Sequence, residues 1–154
     1  MKQKSRLEKG TYRGYRVSIR LVREGRRRYD PRKICGPGDV YEFLKGLQDL
    51  DREVFYALHL DGKHQIVSCE EVSRGTTTGS LVHPREVYKA AILSSAGSII
   101  VAHNHPSGDP TPSDEDRSIV DRLYKSGDIL GIPLLDSLIV GNGTYHSMKE
   151  DCGL

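Results

Sequence analysis

The chain has 154 residues, of which 29% are charged and 36% hydrophobic, a size and composition typical of one globular domain. It has no run of about 18 to 20 apolar residues, and the start MKQKSRLEKG lacks a signal-peptide core, so we expect a cytoplasmic protein that contacts no membrane. Three widely spaced cysteines without a CxxC pair argue against a disulfide framework and a thiolate zinc site.

The formal charge of +2 conceals a basic N-terminal arm followed by an acidic remainder. Residues 1–34 hold 13 Lys and Arg against three acidic residues, which gives +10 and leaves −8 for the rest of the chain. Val17, Ile19 and Leu21 alternate with polar residues, which predicts that part of the arm, residues 1–36, is a strand. The rest of the arm is either a solvated tail or a segment that binds nucleic acid without reading its sequence. Salt-dependent DNA binding that is lost when residues 1–34 are deleted would favour the second alternative.

Helices and strands alternate through the rest of the chain, residues 37–154. Asp39 and Glu42 have capping-box spacing after a Gly-Pro-Gly boundary, which predicts a helix over about residues 40–50. Later helices are predicted from Pro84 and from Ser113. Strands are predicted over residues 53–60, 65–72, 98–102 and 134–140, followed by a turn at Asn142-Gly143. This order predicts an α/β domain with a mixed β-sheet flanked by helices.

The segment SIIVAHNHPSGDPTPSDED holds the side chains that point to chemistry. His103 and His105 follow an apolar strand at i, i+2 spacing, so their side chains leave one face and can converge on one ion. Ser113 is a good helix N-cap, and Asp116 falls at the third helical position, where its carboxylate can face the cap or a metal. Two histidines and a carboxylate leave a fourth zinc position open, as in catalytic zinc sites.

The same four residues reproduce the HxH-x7-S-x-x-D signature of the JAMM (JAB1/MPN+) metalloproteases. The stretches VHPREVYKAAI, HNHPSGDPTPSDED and LGIPLLDSLIVG resemble the bacterial RadC-like (UPF0758) branch, and the similarity covers roughly residues 37–154. The resemblance implies a fold similar to cytidine deaminases, one zinc ion per chain on His103, His105 and Asp116, and Ser113 as the donor to the oxyanion. Full-length RadC-like proteins also carry a helix-hairpin-helix-like region, whereas here a short basic segment precedes residue 37.

The resemblance also implies a glutamate as general base, and the residues alone leave several candidates open. Glu115 would point about 100° away from Asp116 around the helix. Glu53 precedes an apolar strand, where partial desolvation favours proton uptake. The family pattern, a glutamate at the start of the first core strand, selects Glu53. The full set of candidates is Glu53, Glu70, Glu71, Glu86 and Glu115.

These observations predict a zinc metallopeptidase or isopeptidase that cleaves an amide bond of a peptide or protein substrate, with Glu53 activating the water. The alternative is a nucleic-acid-associated role in DNA repair, suggested by the basic arm and by the RadC name. A nuclease or deaminase is a third hypothesis. The deaminase signature HxE with PCxxC does not occur in the sequence, and His103-Asn104-His105 differs from the widely spaced histidines of HNH nucleases.

Overall fold

A five-stranded sheet forms the centre of the computed structural model, which describes residues 18, 33–75 and 82–149. The strands lie in the order β2-β1-β3-β4-β5, with β3 in the middle. The elements are α1 (Pro37–Leu44), β1 (Val54–Leu60), β2 (Ile66–Arg74), α2 (Pro84–Leu93), β3 (Ser98–Asn104), α3 (Asp114–Leu130), β4 (Leu134–Val140) and β5 (Tyr145–Ser147). None of the helices in these described ranges is long and apolar enough to cross a membrane.

The sheet is mixed, which confirms the predicted α/β class. β1 pairs antiparallel with β2 and β3, β3 pairs parallel with β4, and β4 pairs antiparallel with β5. Parallel neighbours need a crossover connection, and α3 supplies it between β3 and β4. Every residue of β3 is buried, because helices cover both faces of the sheet at its centre.

Two apolar clusters hold the helices on the sheet. One cluster packs α2 and α3 on the face that includes Phe55, Val101 and Ile139. The other packs α1 and the following 3-10 turn on the opposite face, which includes Leu58 and Ile100. Because side chains alternate along each strand, neighbouring residues of β1 and β3 contribute to different clusters.

The first helix differs from its prediction over residues 40–50. The α-helix begins at Pro37 and gives way at Lys45 to a 3-10 helix that ends at Asp49. Proline suits the first helical position, so the helix starts three residues earlier than the capping-box spacing suggested. The predicted cap at Asp39 is therefore wrong, and its Oδ2 instead accepts the backbone N–H of Cys35 at 2.8 Å.

The third helix agrees with its prediction, and Ser113 is its N-cap. The Asn142-Gly143 turn connects β4 to the short β5, which the sequence did not single out as a strand. The strand predicted in the basic arm around residues 17–21 lies outside the described residues apart from residue 18. Residues 33–36 at the end of the arm are also described, and Lys33 forms a β-bridge with Gln65.

Candidate metal centre

His103 lies near the end of the central strand and is held there by its neighbours on both sides. It pairs with Phe55 of β1 and Ile139 of β4, and it is 2% exposed. Its ring stacks on the Phe55 ring with the centroids 5.8 Å apart and the planes 11° from parallel. Packing and strand pairing therefore set the direction in which the imidazole points.

His105 lies just beyond the strand, and two backbone contacts hold it. Its N–H donates to the Val140 carbonyl at 3.1 Å. Its Nδ1 lies 2.8 Å from the Asp109 carbonyl oxygen, which can only accept. Nδ1 must therefore carry the proton in this contact, so the neutral ring presents an unprotonated Nε2, the form that binds a metal.

The loop after His105 packs closely on the turn between β4 and β5. Asn142 donates its N–H to the Gly108 carbonyl at 2.9 Å. A Cβ on Gly141 would lie 2.5 Å from the Gly108 oxygen and 2.8 Å from Cδ of Pro110, so only glycine fits this approach. This packing places the Asp109 carbonyl that contacts His105.

Asp116 reaches the two histidines from the first turn of α3. Its Oδ2 accepts the backbone N–H of Ser113 at 2.7 Å and the Ser113 hydroxyl at 2.6 Å, while the Ser113 oxygen accepts the Asp116 N–H at 3.1 Å. This is a reciprocal capping box, in which each residue satisfies the backbone of the other. Asp116 is 8% exposed, so its carboxylate has little freedom to turn away.

The three side chains converge on one point. Nε2 of His103 lies 3.1 Å from Nε2 of His105 and 3.0 Å from Oδ1 of Asp116, and Nε2 of His105 lies 3.5 Å from Oδ2 of Asp116. One potential ligand atom from each residue lies within 4.8 Å of the others. Two imidazole nitrogens that face each other beside a carboxylate need a shared cation or proton, and this donor set fits a divalent metal.

The electrostatics of the cluster agree with this geometry. Burial opposes the charged form of Asp116, but hydrogen bonds from His103, His105 and Ser113 outweigh it and hold the pKa of that carboxyl well below its usual range. The hydrogen bond with Asp116 raises the pKa of His105, against the opposing effect of burial. The cluster therefore carries negative charge on Asp116 and attracts a cation.

Glu53 lies beside this cluster, although it is 50 residues away from His103 in the sequence. The last registered pair of β1 and β3 is Phe55 with His103. Glu53 lies two residues before Phe55 and His105 lies two residues after His103, so both continue from the same end of this strand pair. Glu53 is half-buried. The hydrogen bond with Asp116 is the largest cause that raises the pKa of His105, and the charge of Glu53 raises that pKa by a smaller amount.

The other candidate glutamates have different surroundings. Glu71 forms an ion pair with Arg74 at 2.8 Å, and Glu86 forms one with Lys89 at 2.7 Å. Glu70 is partly buried on β2, and burial raises its pKa against the influence of the α2 residue Lys89. Glu115 is exposed on the surface of α3. Glu53 is thus the candidate that the fold brings to the histidines, and its role as general base stays a prediction.

Sequence reasoning missed Asn104, which it treated only as the residue between two ligands. Asn104 is 1% exposed, and its side-chain amide bonds to the backbone on both sides of Glu53. A buried amide at the end of an apolar strand was the available signal, because such a group needs partners. The sequence could not identify those partners, since they lie 50 and 52 residues away in the chain.

The mixed sheet and the two-histidine, one-aspartate cluster define a JAB-type α/β domain with a candidate metal centre. The family model described as the RadC-like JAB domain matches residues 34–154. The chain belongs to this RadC-like JAB domain family.

Several UPF0758 proteins are similar to the chain. The one from Symbiobacterium thermophilum is 49% identical over 138 residues, which are 89% of this chain and 58% of that protein. Those from Methanosarcina acetivorans and Alkaliphilus oremlandii are 48% and 50% identical over 121 and 119 residues, covering 78% and 77% of this chain and 53% and 51% of those proteins. The chain thus spans just over half the length of these relatives.

Proposed function

We propose that the protein is a zinc-dependent hydrolase that cleaves an amide bond, as a peptidase or isopeptidase. The observation that carries this proposal is the convergence of His103, His105 and Asp116, with Glu53 two residues before the strand partner of His103. Three protein ligands leave a further coordination position open, which is the arrangement of catalytic zinc sites. A closed structural site would use four protein ligands.

The three ligands would hold the metal through Nε2 of both histidines and an oxygen of Asp116. A zinc ion bound there would supply Lewis acidity, which would polarise a carbonyl and make water nucleophilic near neutral pH. Glu53 accepts the proton of the attacking water and returns it to the nitrogen of the leaving amine.

Ser113 has two proposed roles, as a hydrogen-bond donor to the oxyanion and as a donor to Asp116, and its single hydroxyl proton can serve only one of them at a time. As an oxyanion donor it would direct its hydroxyl proton at the substrate. In the structure that hydroxyl lies 2.6 Å from Oδ2 of Asp116, so the same proton orients a metal ligand. A turn of the hydroxyl about its C–O bond would exchange one role for the other.

The test uses zinc-loaded protein, prepared without a metal-affinity tag, and a library of peptides and isopeptide-linked peptides. Glu53→Gln keeps the size of the side chain but removes its basicity, so turnover should fall by at least about 100-fold. One zinc per chain should remain bound at saturating zinc. The control is Glu115→Gln, which changes an exposed carboxylate next to the ligand Asp116 and should leave turnover unchanged. Absence of any Glu53-dependent cleavage from the library would remove the basis of the peptidase proposal.

A further inference from the structure

Asn104 bridges the place where β1 and β3 separate. Their registered pairing ends with Phe55 and His103. Beyond that pair, the Glu53 carbonyl accepts the N–H of Gly75, while the N–H of His105 donates to Val140 of β4. The two segments therefore turn toward different neighbours just beyond Phe55 and His103.

The Asn104 side chain spans this gap with two hydrogen bonds. Its Oδ1 accepts the N–H of Val54 at 2.8 Å, and its Nδ2 donates to the carbonyl of Arg52 at 3.0 Å. The partners fix the orientation of the amide, because an N–H can only donate and a carbonyl can only accept. A carboxylate has no donor and an apolar side chain of this size has neither group, so neither can make both bonds.

The peptide groups held in this way flank Glu53. Asn104 bonds to the residue before Glu53 and to the residue after Glu53, and the N–H of Gly75 donates to the carbonyl of Glu53 itself. The backbone of Glu53 is thus fixed from both neighbouring segments, which limits the directions its side chain can take. Because Asn104 lies between the two histidines in the chain, the same residue ties this glutamate to the candidate ligands.

We infer that Asn104 is a positioning residue, which holds the Glu53 carboxylate against the metal centre through its bonds to Arg52 and Val54. The inference rests on the proposed function for the role of Glu53 in catalysis. It does not need turnover for its own test, because a carboxylate near a cation also strengthens binding of the metal.

The experiment is a double-mutant cycle on the dissociation constant of zinc, measured by competition with a chromophoric chelator. In the wild-type background, Glu53→Gln should weaken zinc binding by about three- to tenfold, since it removes a nearby negative charge. In the Asn104→Leu background, the same change should have an effect smaller than about twofold, because the carboxylate is no longer held at the site. The coupling between the two changes decides the question.

Two further variants keep the test decisive. Asn104→Ser is too short to span both bonds and serves if the leucine variant does not fold. Ser147→Ala removes a buried hydrogen bond to Asp136 of 2.8 Å in the β4–β5 pair, so it loosens the fold away from Glu53. In that control background the Glu53→Gln effect should keep its full size, which separates positioning from general destabilisation.

Equal Glu53→Gln effects in the wild-type and Asn104-variant backgrounds would overturn the inference. So would an effect below about twofold in the wild-type protein, since no carboxylate would then be held near the metal. A coupled cycle in a protein that cleaves no amide would reject the proposed peptidase activity and retain the role of Asn104. Turnover that depends on Glu53, together with an uncoupled cycle, would support the proposed peptidase activity and reject the role of Asn104.

Discussion

The hydroxyl of Ser113 lies 2.6 Å from Oδ2 of Asp116, and its oxygen accepts the backbone N–H of Asp116. The cap of α3 and the orientation of a candidate metal ligand are therefore the same structural feature. Helix formation and metal binding depend on each other here, because the capping box stabilises the helix that carries the carboxylate.

Replacing Ser113 by alanine should weaken both the fold and the metal centre. Loss of the cap should lower the free energy of unfolding by about 1 kcal/mol. The carboxylate also loses a hydrogen bond that orients it, so zinc binding should weaken by about tenfold. Urea unfolding and chelator competition measure the two effects.

Two controls separate capping from an oxyanion role for Ser113. Ser113→Thr keeps a capping hydroxyl and should restore stability and zinc affinity. Ser118→Ala changes an exposed serine further along α3 and should affect neither. Normal stability and zinc affinity in Ser113→Ala, with turnover alone reduced, would favour the oxyanion role.

Metal content gives the most direct test of the cluster. Protein purified without a metal-affinity tag and reconstituted with zinc should hold one ion per chain, and a His103→Ala, His105→Ala double variant should hold none, since two of three ligands are gone. His64→Asn is the matched control, because His64 is an exposed histidine outside the cluster, with a φ of 60° that asparagine tolerates. Elemental analysis that finds zinc in the double variant would place the metal elsewhere.

Gly141→Ala should disturb the site from a distance. The new methyl group would meet the Gly108 carbonyl and Pro110, and the loop would move away from the β4–β5 turn. The Asp109 carbonyl would then hold His105 less well, so zinc affinity should fall by about tenfold. Gly46→Ala is the control, since a Cβ there meets nothing within 4 Å. Unchanged zinc affinity in Gly141→Ala would show that the loop adapts without moving the ligand.

His59 should make the fold sensitive to acid. It is 1% exposed, its Nδ1 lies 2.8 Å from the Ser68 hydroxyl, and burial lowers its pKa from 6.5 to about 4. A lowered pKa means that the unfolded chain takes up a proton before the folded chain does. Stability from the neutral ring is therefore present above pH 6.5 and is lost as the pH falls toward 4, by up to about 3 kcal/mol.

The check is the free energy of unfolding at pH 7 and at pH 4.5 for wild type and His59→Gln. The variant is expected to be less stable at pH 7, yet to lose less stability on acidification, because glutamine does not titrate. His64→Asn should keep the wild-type loss, since that side chain is exposed in the folded chain. Equal losses in wild type and His59→Gln would show that other groups cause the acid sensitivity.

Local patterns in the chain predicted most of the fold. Apolar runs bounded by turn residues indicated the strands, and the Ser113 cap indicated the start of α3, because both signals come from residues close in sequence. The start of α1 was predicted incorrectly, since two local signals competed and Pro37 outweighed the capping-box spacing at Asp39. β5 was not predicted because a strand of three residues has too short a pattern.

By itself, the sequence determined the candidate ligand set. His103 and His105 share a face because they lie two residues apart at a strand end, and Asp116 faces its cap because it lies three residues after Ser113. Only the tertiary structure showed which candidate glutamate lies at the same end of the β1–β3 pair and what holds its backbone. Glu53 lies two residues before the strand partner of His103, and Asn104 bonds to the residues on both sides of Glu53, so this arrangement depends on strand pairing between distant segments.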